Sequence, residues 1–264
     1  MKKVTAMTIV AMARQGKKTV WLTAHDASSA SLASLAGVDV ILVGDSLAMT
    51  TLGYATTLPV SLAQMIAHAT VVVAATSRPW VVCDLPFGSY QTSPEQAYSS
   101  SVCVLQQSGC DAVKLEGGVL MAPTIRFLSE RGIPVVAHIG LMPQSVKQQG
   151  GYRRQGEDEY AAARIKADAQ AVSNAGALAV VLECIPDALA AEITATLSIP
   201  TVGIGAGAQC DAQILVWHDL LGLSEKNPPF APAYLNLRQT IVDGIAQWAD
   251  DVRTQQFPGT KPCN

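Results

Sequence analysis

The chain has 264 residues, of which 49% are apolar and 15% charged, and 18 basic against 21 acidic residues leave a net charge of −3. That length suits one α/β-barrel domain over 1–264, and the balance of charge gives no electrostatic footprint for nucleic acid. No run of 18 or more uncharged apolar residues reads as a membrane span, and so low a charged fraction fits a homo-oligomer that buries surface against copies of itself.

From the N-terminus, Lys2-Lys3 and the apolar stretch 4–13 resemble a signal peptide, with Ala11-Met12-Ala13 in the place of a cleavage site. The stretch is short, carries Thr5 and Thr8, and runs straight into Arg14, Lys17 and Lys18, so it reads as a leading helix. Short β-rich runs then alternate with helical ones. Strands are expected at 19–24, 38–44, 80–84, 112–116, 134–138, 178–183 and 201–204, mostly as near-continuous Val/Ile/Leu runs. Such runs mark parallel strands covered on both faces. Helices are expected at 28–37, 61–76, 94–109, 122–132, 158–176 and 188–197, with Gly37, Gly109, Gly132 and Gly176 closing four of them. An eighth unit is weaker: a short strand within 214–221 and a helix around 233–252. Seven or eight βα units in this length imply a closed (β/α)8 TIM barrel with an N-terminal leading helix. No GxGxxG follows the first strand, which disfavours a dinucleotide fold. VGIGAG at 202–207 is either a backbone cradle for phosphate or a tight turn.

The six cysteines, Cys83, Cys103, Cys110, Cys184, Cys210 and Cys263, form no CxxC and no zinc-like spacing. Cys83 and Cys184 lie in apolar strand-like runs, where cysteine acts as a small hydrophobe. A reduced cytoplasmic protein is the plain reading. The tail beyond Gln255 reads only as a mobile end.

Reacting groups in a parallel barrel project from the carboxyl ends of the strands. There the chain places His25 and Asp26, Asp45 and Ser46, Asp84, Lys114 and Glu116, His138, and Glu183. One acid after an apolar strand is usually a helix cap or a turn. Barrel closure would instead gather Asp45, Asp84, Glu116 and Glu183 in one mouth, where repulsion and desolvation are costly unless a cation is held. Carboxylate oxygens indicate a hard divalent ion, Mg²⁺ before Mn²⁺ or Zn²⁺. Lys114 either neutralises a carboxylate or takes an anionic substrate, with a Schiff base as a further role. His138 is either a satisfied core histidine or a group standing behind the reacting ones.

These residues sit in blocks that resemble the ketopantoate hydroxymethyltransferase family from about Thr8 to about Val252. The blocks are VGDSLAMT at 43–50, TTLPV at 56–60, DLPFGSY at 84–90, VKLEGG at 113–118, AHIGLMPQS at 137–145, GGYRRQG at 150–156, VLECIP at 181–186, VGIGAG at 202–207 and VWHDLLGL at 216–223. The resemblance implies a Mg²⁺-dependent barrel enzyme of pantothenate synthesis, usually a cytoplasmic decamer. It would convert 3-methyl-2-oxobutanoate and 5,10-methylenetetrahydrofolate to 2-dehydropantoate and tetrahydrofolate. It implies that Asp45 and Asp84 bind Mg²⁺ with Glu116 close to the ion through water. Asp45, Ser46, Asp84 and Lys114 would hold the oxo acid, and Glu183 would take its proton. A base of that kind calls for a drier pocket than the metal-bound acids. TAHDASSA at 23–30 departs from the family, with His25 and Ala27 where aromatic residues are common and a more polar Ser28-Ser29. The alternatives are a Mg²⁺-dependent 2-oxo acid lyase or aldolase and a non-catalytic binding barrel.

Overall fold

A computed structural model describes residues 2–259, and Cys263 lies outside them. Eight strands close in chain order into a parallel barrel: β1 (Thr19–Thr23), β2 (Val40–Val43), β3 (Trp80–Asp84), β4 (Ala112–Glu116), β5 (Val135–Gly140), β6 (Ala179–Glu183), β7 (Thr201–Ile204) and β8 (Ala212–Leu215). β8 returns to β1 in the register Trp21 to Ile214. The accompanying helices are α1 (Ala6–Arg14), α2 (Ala27–Leu35), α3 (Leu47–Thr50), α4 (Leu62–Ala74), α5 (Pro94–Ser108), α6 (Ala122–Ser129), α7 (Glu159–Asn174), α8 (Asp187–Thr196), α9 (Trp217–Leu221) and α10 (Leu237–Arg253).

Local chemistry sets the helix ends. Ser61 and Gln64 form a capping box at α4, and Asp26 and Ser29 form one at α2. Ser93 caps α5 ahead of Pro94, and Gly109 closes it in the left-handed conformation (φ +74°) that its missing Cβ permits. The polar Ser29 of the departing 23–30 segment therefore has a structural role.

Inside the barrel Trp21, Val40, Leu42, Trp80, Val82, Ala112, Val136, Ala179, Val181, Val202, Ala212 and Ile214 pack as one buried cluster. Side chains alternate along a strand, so the next inward positions follow by twos. After Val82 comes Asp84; after Ala112 come Lys114 and Glu116; after Val136 comes His138; after Val181 comes Glu183. The faces that fill the interior thus aim ionisable groups into its mouth. At the opposite end, Val4 and Ile9 join the same cluster. Val4 N donates to Arg78 O (2.8 Å), and Lys3 Nζ donates to Pro79 O (2.7 Å). The leading helix is therefore a plug at the strand starts.

Many ends differ from expectation by one to three residues, and two differences matter most. β5 runs on to Gly140, and the eighth strand is Ala212–Leu215, with 217–221 helical as α9. β8 is AQIL with Gln213 exposed, so it has no continuous apolar run to announce it. Cys184 stands just beyond β6 at φ +52° rather than inside a strand.

The chain divides into two compact units, Met1–Val216 with the whole barrel and Trp217–Asn264. Within the second, α10 buries no residue and exposes Ile241, Val242, Ile245, Trp248 and Val252. Among the described residues, no helix is long and apolar enough to cross a membrane.

Candidate active site

The barrel mouth gathers the expected acids. Asp45 follows β2, and its backbone N donates to Asp84 Oδ2 (3.0 Å). Lys114 Nζ lies 2.8 Å from Asp84 Oδ1, with both side chains buried. The ammonium thus pairs with Asp84 Oδ1 while the Asp45 backbone N holds Oδ2. His138 stands between two acids, Nε2 at 3.2 Å from Glu183 Oε2 and Nδ1 at 3.9 Å from Glu116 Oε1. Neither imidazole nitrogen makes a hydrogen bond of good geometry. Ser46 leads into α3 without using its hydroxyl as a cap, and its Oγ would lie 3.1 Å from a Cβ placed on Gly44.

Burial sets the electrostatics. Desolvation, joined by the charge of Asp84, pushes the Asp45 carboxyl up from 3.8 to about 7, against the pull of Lys114. Glu116 is pushed well above its ordinary value, first by burial and then by Asp45, Glu183 and Asp84. Burial alone would lower Lys114, but Asp84, Glu116 and Asp45 overcome it and hold the ammonium charged. The expected dryness runs the other way from the sequence reading. Glu183 has a 15% exposed side chain, against 3% for Asp84 and 2% for Glu116. It ends β6 at the rim, whereas the other two lie deeper in the mouth.

Two neutral residues complete the centre. Gln144, in the turn Pro143–Ser145 after β5, is buried and reaches across to the β2 end. Its Nε2 donates to Asp45 Oδ2 and to Leu85 O, both at 2.9 Å, and its backbone N donates to Glu116 Oε2 (3.0 Å). Tyr90 OH donates to Gln144 Oε1 (2.7 Å) and accepts from Glu116 N (3.1 Å). One residue thus holds two of the carboxylates, Asp45 through its side chain and Glu116 through its backbone. The sequence reading missed both residues; MPQ and GSY lay inside quoted blocks, but an uncharged amide or phenol gives no sign that it will be buried.

Gly140 holds the other side. At φ +92°, it places its backbone so close to Glu183 that a Cβ would stand 2.4 Å from Glu183 O. His25 sits at the rim, with Nε2 at 3.2 Å from Asp26 Oδ2 and its carbonyl 2.6 Å from His68 Nδ1. The VGIGAG segment is strand β7 followed by a turn, and a Cβ on Gly207 would meet the Asp187 carboxylate carbon at 2.7 Å. An acidic neighbour at that distance favours the tight-turn reading over a phosphate cradle.

The donor set fits a hard cation. Asp45, Asp84 and Glu116 are three buried acids, and among the described residues Lys114 is the one buried lysine or arginine to offset their charge. Among the described residues, no three acidic, histidine or cysteine side chains converge as a ready-made cage. Mg²⁺ rarely needs one, because it commonly takes one or two carboxylates and completes its shell with water and substrate oxygens.

The sequence profile described as ketopantoate hydroxymethyltransferase matches residues 3–260. The chain belongs to that family. Relatives named 3-methyl-2-oxobutanoate hydroxymethyltransferase include one from Acaryochloris marina, 56% identical over 245 residues, covering 92% of this chain and 95% of the relative. Another, from Thiobacillus denitrificans, is 48% identical over 258 residues and covers 98% of each. Among solved structures, a putative phosphonomutase from Burkholderia cenocepacia J2315 superposes with a TM-score of 0.65 at 18% identity, covering 92% of this chain and 99% of that one. A 2,3-dimethylmalate lyase of the PEP mutase/isocitrate lyase superfamily gives 0.59 at 14% identity, covering 99% and 88%. At such identities these two speak for the (β/α)8 fold alone. Profile, relatives and barrel architecture thus agree on the ketopantoate hydroxymethyltransferase family.

Proposed function

We propose that the chain transfers a hydroxymethyl group from 5,10-methylenetetrahydrofolate to 3-methyl-2-oxobutanoate. The products are 2-dehydropantoate and tetrahydrofolate, with water supplying the new hydroxyl. The observation that carries the reading is the mouth itself: three buried acids around one buried lysine, with a carboxylate–imidazole pair at the rim, in a chain of this family.

Asp45 and Asp84 are the proposed Mg²⁺ ligands, with Glu116 close to the ion through water. Mg²⁺ at that position supplies Lewis-acid stabilisation of negative charge developing on the oxo acid. Lys114 offsets the substrate carboxylate, and Ser46 offers it a hydroxyl. Glu183, the more exposed acid at the end of β6, takes the C3 proton. A placed general base typically contributes 10²–10⁴-fold. His138 Nε2, 3.2 Å from Glu183 Oε2, is the nearest basic group to that carboxylate and the proposed next holder of its proton. The C3 carbon then bonds to the one-carbon unit, both carbon–nitrogen bonds to the donor break, and water supplies the hydroxyl and the protons that return the nitrogens to tetrahydrofolate. Work in the cytoplasm as a homo-oligomer, a decamer by family resemblance, belongs to the same proposal.

The first test is mass spectrometry of purified chain mixed with Mg²⁺, 3-methyl-2-oxobutanoate and 5,10-methylenetetrahydrofolate. A species one hydroxymethyl group heavier than the oxo acid, lost on adding chelator, is expected. Cleavage of the oxo acid would instead favour a lyase, and an untouched oxo acid a binding barrel. Glu183→Gln is expected to bind the oxo acid yet exchange its C3 proton at least 100-fold more slowly. Exchange at the parent rate would move the proton to another group.

A further inference from the structure

The two longest βα connections of the barrel, 44–61 after β2 and 141–158 after β5, touch through Tyr152 and Met49 and through Gln144 and Asp45. β2 and β5 stand three places apart around the ring, so the contact between these connections bridges the opening. Tyr152 makes it: its hydroxyl donates to Met49 Sδ (3.5 Å), where α3 leads away from Asp45 and Ser46. The same 141–158 segment is anchored lower down by Gln144, which bonds to Asp45. Tyr152 nevertheless keeps 53% of its surface exposed. A half-exposed tyrosine on the segment that also holds Asp45 offers aromatic surface to a flat ligand.

We propose that Tyr152 is the stacking platform for the reduced pterin ring of the one-carbon donor, holding it over the mouth with its methylene carbon facing the oxo acid. The proposal rests on the hydroxymethyltransferase reading and adds to it the binding site for the second substrate. Three observations support the placement. The Met49 contact sets the phenol on the side of the barrel where Asp45, Glu116 and Glu183 stand, and burial, then the charges of Asp45, Glu183 and Glu116, push it above its ordinary value. The oxo acid occupies the charged floor, so the donor must enter from the open side that this segment spans. The segment also supplies cations: Lys147 and Arg153 are exposed and form no ion pair among the described residues. The donor's glutamate tail is anionic and would run towards them. Tyrosine suits the role because it offers broad flat area with few rotatable bonds, and ring stacking needs no specific hydrogen-bond pattern.

Calorimetry with tetrahydrofolate, and C3-proton exchange from the oxo acid without any folate, test this together. The parent chain is expected to bind tetrahydrofolate and to exchange. Tyr152→Ala is expected to weaken tetrahydrofolate binding and raise KM for methylenetetrahydrofolate by on the order of tenfold or more. Its exchange and its KM for the oxo acid should stay near the parent values, and Tyr152→Phe should restore donor binding. Unchanged tetrahydrofolate affinity in Tyr152→Ala overturns the platform and leaves the activity standing. Loss of exchange together with donor binding also overturns it, because Tyr152 would then be serving the acid centre. A parent chain that neither exchanges nor binds tetrahydrofolate overturns the activity and the platform with it.

Discussion

Gln144 shows how much of a charged centre can depend on a residue with no charge. Its side chain holds Asp45 Oδ2 while its backbone holds Glu116 Oε2, and Tyr90 fixes which end of the amide faces Asp45. Gln144→Leu keeps the bulk but removes the donor to Asp45. Changing a group that orients a metal ligand commonly costs 10–100-fold in metal affinity, and we expect a loss in that range for Mg²⁺ by calorimetry. Equal Mg²⁺ affinity in the two proteins would show that the carboxylates hold their places unaided. Asp45 gives a second expectation, for protein kept in chelator. Its carboxyl is raised to about 7 in the fold from 3.8. Between those values the folded chain keeps a proton that the unfolded chain has released. Stability therefore falls as pH rises through that window, by up to about 1.4 kcal/mol per pH unit for one group. Urea midpoints at pH 5, 6 and 7 should fall more steeply for the parent than for Asp45→Asn. Parallel slopes would mean that Asp45 titrates low. At this scale the charged residues were legible, because each follows an apolar strand. Gln144 and Tyr90 were not, since burial of a neutral polar group depends on partners far away in sequence.

Secondary-structure elements were legible in proportion to how continuously apolar they are. β3 (WVVCD) and β4 (AVKLE) match their expected limits residue for residue. β8 (AQIL) does not, because Gln213 turns outward and the strand depends on pairing with β1 and β7 for its place. α1 was expected as a helix, yet its destination was invisible until the barrel closed around it. Ile9 is 2% exposed among the interior side chains at the strand starts, far from the acids. Ile9→Ala removes buried volume there and should cost about 2–5 kcal/mol of stability. KM and kcat for surviving folded enzyme should be unchanged, because the mouth lies at the other end. A large fall in kcat at full stability would show that the plug communicates with the site.

For the whole molecule, α10 is the unusual member. It is an amphipathic helix with no buried residue, and its apolar positions 241, 242, 245, 248 and 252 recur at helical spacing. Exposed apolar surface of that kind marks an interaction face in soluble proteins. With a charged fraction of only 15%, the chain has little polar surface with which to stay solitary. If the proposed homo-oligomer forms through this stripe, a second copy of the chain would cover it, and a symmetric assembly would repeat the contact in every subunit. Burying one isoleucine stabilises by roughly 1.5–3 kcal/mol, so replacing two by charges should tip the association equilibrium. The double variant Ile241→Asp, Ile245→Asp is expected to sediment as smaller species than the parent, which a decamer would place at ten chain masses. If the two proteins sediment alike, the stripe lies outside the interface and another face holds the assembly. If the parent itself sediments as one chain, the homo-oligomer is wrong, while the barrel mouth and its chemistry are untouched.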